Sequence, residues 1–203
     1  MRESTALLNQ WTEYCSDLYN YELHPDISLL RSNQTTTQEA ESLPVLREEV
    51  EEAVRNPRAG KSPGVDNIPS EILKNGGVTA TTVLTVMCQK IWKTKNWPKE
   101  WTQSFVIPLP QKGYLKQCKN YRTISLISHH SKIMLRVILN RLEAKAEELL
   151  AEDQAGFRPG RSTVEQIFNS GVITEKYLQH QHDLFHNFIH FMNAFDRVVH
   201  AGL

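Results

Sequence analysis

Three stretches of the chain hold side chains that could act on phosphates or metals. "PQKGYLKQCKNYR" sets Lys112, Lys116, Lys119 and Arg122 around a turn at Gly113. An arginine fork can clasp two phosphate oxygens, and lysines add point charges. "AGFRPGRST" places Arg158 and Arg161 around Pro159-Gly160, just before residues that open a helix. Backbone N–H groups at a helix start favour anions, and Phe157 could stack on a base. "HQHDLFHNFIHFMNAFDRV" spaces His182, His186 and His190 four residues apart and adds Asp196. On one helix face such histidines would suit zinc. On a strand, His186 and His190 would stand about 13 Å apart at ~3.3 Å per residue, too far to share an ion.

The elements needed to position these groups follow from periodicity and punctuation. Leu7, Leu8, Trp11, Tyr14 and Leu18 mark an amphipathic helix, and the polar "RSNQTTTQEAES" after it reads as a linker. A helix is expected over 45–56, ending near Asn56-Pro57. The Gly/Pro-rich "GKSPGVDNIP" carries Lys61 on a loop, followed by a short helix from Pro69-Ser70 to Gly76-Gly77. Residues 78–95 read as a helix with Val83, Leu84, Met87 and Ile91 on its apolar face. "SFVIPLP" is a strand whose prolines bar it from the middle of a sheet. "NYRTISLIS" is a second extended segment, and Ser128 or Ser131 caps a long helix over about 131–150. Ser162 or Thr163, with Glu165, opens a helix toward about 182. Residues 184–191 read as a strand that runs into a helix start at "NAFDRV".

Composition bounds the reading. With 40% hydrophobic and 23% charged residues the chain has a globular signature. No run of 18 apolar residues is present, so no membrane association is expected. Cys15, Cys88 and Cys118 form no metal-ligand pair and fit reduced thiols, which points to an intracellular setting, cytoplasm or nucleus. The net charge of +0 conceals a partition. Residues 1–60 hold 5 Lys+Arg and 11 Asp+Glu, residues 61–145 hold 14 and 4, and residues 146–203 hold 4 and 8. A basic middle of that size is the footprint of a phosphate-backbone binder or a solvated basic face.

In their order, "GKSPGVDNIPSEILK", "VIPLPQKG", "NYRTISLIS", "ILNRL", "DQAGFRPGRST" and "FIHFMNAFDRVVH" resemble the reverse transcriptases of non-LTR (LINE-type) retrotransposons over about residues 45–203. The resemblance implies an α+β fold, with helix-rich fingers and an incomplete palm, lacking a thumb. Residues 1–44 would be a connector helix and linker, 45–182 fingers and palm helices, and 183–203 the first palm strand and the start of the next helix. It implies RNA-directed DNA synthesis on an RNA template and a DNA primer, with Mg2+ as cofactor. Arg122, aided by Lys112, would hold the incoming triphosphate, although Thr123 stands where the family usually has proline. Phe195 matches the aromatic gate against a ribose 2′-hydroxyl. Lys61, Arg158 and Arg161 would lie toward nucleic acid.

At the position of the family's first metal-binding Asp, this chain has His190. Neutral imidazole is a poor magnesium ligand and supplies no negative charge. The family's tyrosine–x–Asp–Asp hairpin is also absent. The expectation is therefore a catalytically dead chain with no intact catalytic or metal-binding residue and no cofactor. Its alternative is a non-enzymatic remnant that binds RNA or DNA weakly and nonspecifically through the basic region 61–145. A further possibility is that the segment does not fold alone, leaving apolar patches and an unpaired edge at 185–191.

Overall fold

Residues 2–20, 43–191, 194–196 and 198 are described by the computed structural model. The linker expected at 31–42 and most of the expected helix start after Phe191 lie outside them. Helix α1 spans Arg2–Tyr19, α2 Arg47–Arg55, α3 Ser70–Asn75 and α4 Gly77–Thr94. Strands β1 (Ser104–Pro110) and β2 (Tyr121–Ile127) follow, then α5 (His129–Leu149) and α6 (Thr163–Gln179). Short 3₁₀ turns at Lys99–Trp101 and Cys118–Asn120 lead into the strands. The mixture of helices with a small antiparallel sheet is α+β.

The core is helical. Val50, Ala53 and Val54 of α2 meet Leu84, Cys88 and Ile91 of α4 and Ile133, Met134 and Val137 of α5, with Val45, Leu73 and Trp101 closing the cluster. The buried face of α4 is turned from the expected one. Val83 is exposed, whereas Thr81 and Thr85 are buried. Their hydroxyls donate to the carbonyls of Gly77 and Thr81, four residues back. With its hydroxyl satisfied inside the helix, a threonine presents a β-branched apolar surface at little cost. Helix α5 begins at the expected serine: Ser128 accepts from the Ser131 N–H at 3.1 Å. Its second half leaves the core, so that Leu142 and Leu149 are exposed.

Arg141 fastens α5 to α2. Its Nε and Nη2 each donate to Glu49 at 2.7 Å, and Nη1 and Nη2 donate to the carbonyls of Leu43 and Pro44. Its guanidinium also lies 4.8 Å from the Trp92 ring centre. Glu49 takes the Leu46 N–H at 2.8 Å as well. The Arg141 hydrogen bond is the main reason its carboxyl titrates below the usual range.

β1 and β2 pair with each other alone among the described residues, from Ser104↔Ile127 to Pro110↔Tyr121. No β1 residue is buried, which explains how Pro108 and Pro110 are tolerated there. The strand expected over 184–191 is not formed. These residues carry no ladder, because among the described residues no other strand lies beside them to accept and donate its hydrogen bonds. Phe185, Phe188, Ile189 and Phe191 are exposed along it. α6 opens at Ser162 with the expected box: Ser162 Oγ accepts from the Glu165 N–H, and the Glu165 carboxylate from the Ser162 N–H. None of its residues is buried.

Candidate nucleic-acid interface

The hairpin turn between β1 and β2 is braced from within. The Gln111 N–H donates to the Asn120 carbonyl at 2.9 Å, and Asn120 Nδ2 donates to the Tyr114 carbonyl at 2.8 Å. Gly113 adopts φ +114°, and a Cβ there would come within 3.2 Å of the Asn120 amide. The dihedral therefore favours glycine, and a side chain would also press on the Asn120 amide. Lys112, Lys116 and Lys119 are exposed on this braced turn, and Arg122 is exposed just beyond it in β2. None of the four makes an ion pair among the described residues. Lys116 sits 5.8 Å over the ring of the exposed Tyr114. A hydrogen-bonded turn and strand start with four exposed cations and one exposed aromatic ring can hold a phosphate backbone and stack a base.

The other expected contact residues are dispersed. Lys61 is exposed on the loop that meets the opposite end of β2. That loop comes in so closely at Gly64 that a Cβ would stand 2.4 Å from the backbone of Ile127 and Ser128. It is held by Asp66, whose carboxylate is 3.1 Å from Nδ1 of His130, and by Glu71, which accepts the Gly60 N–H at 2.6 Å. His130 in turn stacks on Trp101 at 5.9 Å. Beneath the loop, His129 is buried with neither ring nitrogen in a hydrogen bond among the described residues. Burial, and then the Lys132 charge, lower its affinity for a proton; the nearby Lys61 carbonyl, Asp66 and Glu71 pull the other way.

Arg158 is committed inside the protein. Its Nη2 and Nε donate to the two carboxylate oxygens of Glu147 at 2.5 and 3.1 Å. Its Nη1 donates to the carbonyls of Ala151 and Gln154. It thus folds the chain beyond α5 back onto that helix, and only 9% of it meets solvent. Arg161, three residues on, is exposed and makes no side-chain hydrogen bond among the described residues. The pair that looks equivalent in sequence is divided between a brace and an open cation.

Phe195 is exposed and meets Phe157 edge-on at 5.8 Å, with Phe157 in the left-handed region at φ 62°. Asp196 lies near enough to Tyr14 of α1 to raise its pKa, after burial, Cys118 and Cys15. His190 is exposed and has no hydrogen bond or ring contact among the described residues. His186 approaches Thr174 Oγ1 at 3.4 Å, and the His180 and His182 rings lie 6.4 Å apart. Among the described residues no three His, Cys, Asp or Glu side chains gather where they could hold a metal ion. The described residues here do not fit magnesium: His190 offers imidazole, a poor ligand for a hard cation, and no carboxylate cluster stands beside it among the described residues. No helix among the described residues is long and apolar enough to cross a membrane.

One arrangement was not legible in sequence. The face of α1 made of Trp11, Tyr14, Cys15, Leu18 and Tyr19 packs on the start of β2. Trp11 meets Tyr121 edge-on at 5.0 Å, and Tyr19 Oη is 2.7 Å from Thr123 Oγ1. The helical stripe announces that α1 buries a face but not which element receives it.

Residues 109–203 match the reverse transcriptase (RNA-dependent DNA polymerase) family model. The chain is 36% identical over 166 residues to the probable RNA-directed DNA polymerase from transposon BS of Drosophila melanogaster, across 79% of this chain and 18% of that protein. It is 30% identical over 160 residues to the probable RNA-directed DNA polymerase from transposon X-element of the same organism, across 76% and 17%. The RNA-directed DNA polymerase from mobile element jockey is 28% identical over 162 residues, across 78% and 18%. The chain thus spans under a fifth of the length of these relatives. Together with the ordered motifs, these matches establish that the chain belongs to the reverse transcriptase family of non-LTR retrotransposons, corresponding to a limited stretch of it.

Proposed function

We propose that this chain grips the phosphate backbone of RNA or DNA through the turn of its β1–β2 hairpin and does not polymerise by itself. The observation that carries the reading is that the braced turn and the start of β2 expose four cations without an ion pair among the described residues, whereas Arg141 and Arg158 are consumed by internal pairs. Within a longer polymerase the same turn would serve RNA-directed DNA synthesis, Arg122 and Lys112 holding the nucleotide's phosphates and Phe195 facing its sugar. By itself the chain lacks the carboxylates that phosphoryl transfer needs to balance charge on two magnesium ions, since His190 takes the place of the first. RNA template and DNA primer are then ligands rather than reactants.

The test is a salt titration of binding to a single-stranded RNA oligonucleotide, followed by fluorescence anisotropy. Four phosphate contacts predict a slope of log K against log salt of about −3, at roughly −0.7 per contact. Replacing Lys112, Lys116, Lys119 and Arg122 with alanine should flatten it almost completely. An unchanged slope in that variant sinks the assignment of the interface. Primer extension by the unaltered chain with Mg2+ present would sink the claim that it does not polymerise.

A further inference from the structure

We propose that Cys15 of α1 and Cys118 at the base of the hairpin turn form a reversible disulfide that locks α1 onto the basic turn. Cys15 lies four residues from both Trp11 and Tyr19 on one helical stripe. Those two flanking residues touch Tyr121 and Thr123. The centre of the stripe therefore lies against the first residues of β2, and Cys118 is in the adjoining 3₁₀ turn, where its carbonyl accepts from the Tyr121 N–H. Cys118 is buried, Cys15 is half-buried, and both are free thiols. Their proximity has an electrostatic signature: after burial, Cys118 is what pushes the Cys15 thiol upward. Cys118 also acts on Tyr14, on the same stripe, ahead of Cys15 itself. The third cysteine, Cys88, is in the helical core with its thiol pushed up to about 11 by burial, which makes it unreactive.

The chemistry is thiol–disulfide exchange with a low-molecular-weight disulfide such as glutathione disulfide. The more accessible Cys15 thiolate attacks one sulfur of the oxidant, forms a mixed disulfide and expels the first glutathione thiolate. The Cys118 thiolate then attacks Cys15 Sγ and expels the second. The protein loses two protons and two electrons, and two glutathione thiols carry them away. In a reducing compartment both thiols stay free and α1 is held by packing alone. Because thiolate is the nucleophile and the Cys15 thiol is raised, oxidation should quicken roughly tenfold per pH unit around neutrality. The inference does not rest on the nucleic-acid reading.

The test uses the full chain incubated with glutathione disulfide, then intact mass and non-reducing peptide mapping. The expected product is monomeric, lighter by two hydrogen atoms, with the Cys15 and Cys118 peptides joined and Cys88 free. Cys118→Ser should stop at one glutathione adduct on Cys15. Lasting adducts on both cysteines of the native chain, a linkage through Cys88, covalent dimers, or no reaction without denaturant would each overturn the proposal. Mapping of the native chain decides the matter even if the variant fails to fold.

Discussion

Arg141→Ala should unfold the chain at a markedly lower temperature, because one guanidinium joins α5, α2 and the segment before α2. The loss is two charge-assisted bonds to Glu49, two bonds to backbone carbonyls and the packing on Trp92. Fully desolvated, hydrogen bonds to a charged group contribute about 1.5–3 kcal/mol each. About a quarter of each partner's side chain meets solvent, 23% for Arg141 and 26% for Glu49, so screening reduces that sum. A net loss of about 2 kcal/mol remains, or roughly 4–8 °C in Tm for a chain of this length. Thermal unfolding followed by far-UV circular dichroism reads it, with Arg141→Lys as the comparison that retains charge without the fork. The pH dependence carries a definite sign. Glu49's carboxyl is held below its unfolded value of about 4.3, so the pair's contribution is complete above that pH and disappears as pH falls through the lower folded value. The gap between native and variant should therefore narrow in acid. If Arg141→Ala and Glu49→Gln destabilise additively, with no coupling in a double-mutant cycle, the reasoning is refuted.

Two further outcomes follow from groups placed by the fold. His129 is buried and neutral, and its folded pKa is lowered, so stability is complete above the unfolded value of about 6.5 and declines as pH falls below it. His129→Leu should flatten that decline in a denaturant series at several pH values and cost little near neutrality, since it removes two unpaired nitrogens. Arg158→Ala and Arg161→Ala should separate: the first lowers the melting midpoint and leaves the salt slope of RNA binding alone. The second leaves the midpoint unchanged and alters the slope little, since the four hairpin cations account for it.

The sequence by itself determined the helices with sharp local signals, the two extended segments on either side of the Gly113 turn, and the family. Ser128 and the Ser162–Glu165 box mark helix starts because capping is satisfied within four residues. The prolines of "SFVIPLP" place that strand at an edge because a missing N–H cannot be hidden in a central one. The ordered motifs named the family because each is a short contiguous run.

What depended on partners distant in the chain was decided only in the tertiary structure. Arg158 and Arg161 are alike in residue type and setting, yet Glu147 and two carbonyls claim the first and nothing among the described residues claims the second. Arg141 looks like one more surface cation until Glu49, 92 residues away, is brought beside it. Val83, expected on the buried face, is exposed while Thr85 is buried, because threonine can satisfy its hydroxyl on its own helix. Residues 184–191 have strand-like composition but no ladder, because a strand exists only beside another that completes its hydrogen bonds. Composition can declare which groups must be buried or paired; which partner reaches them is settled by how the helices pack.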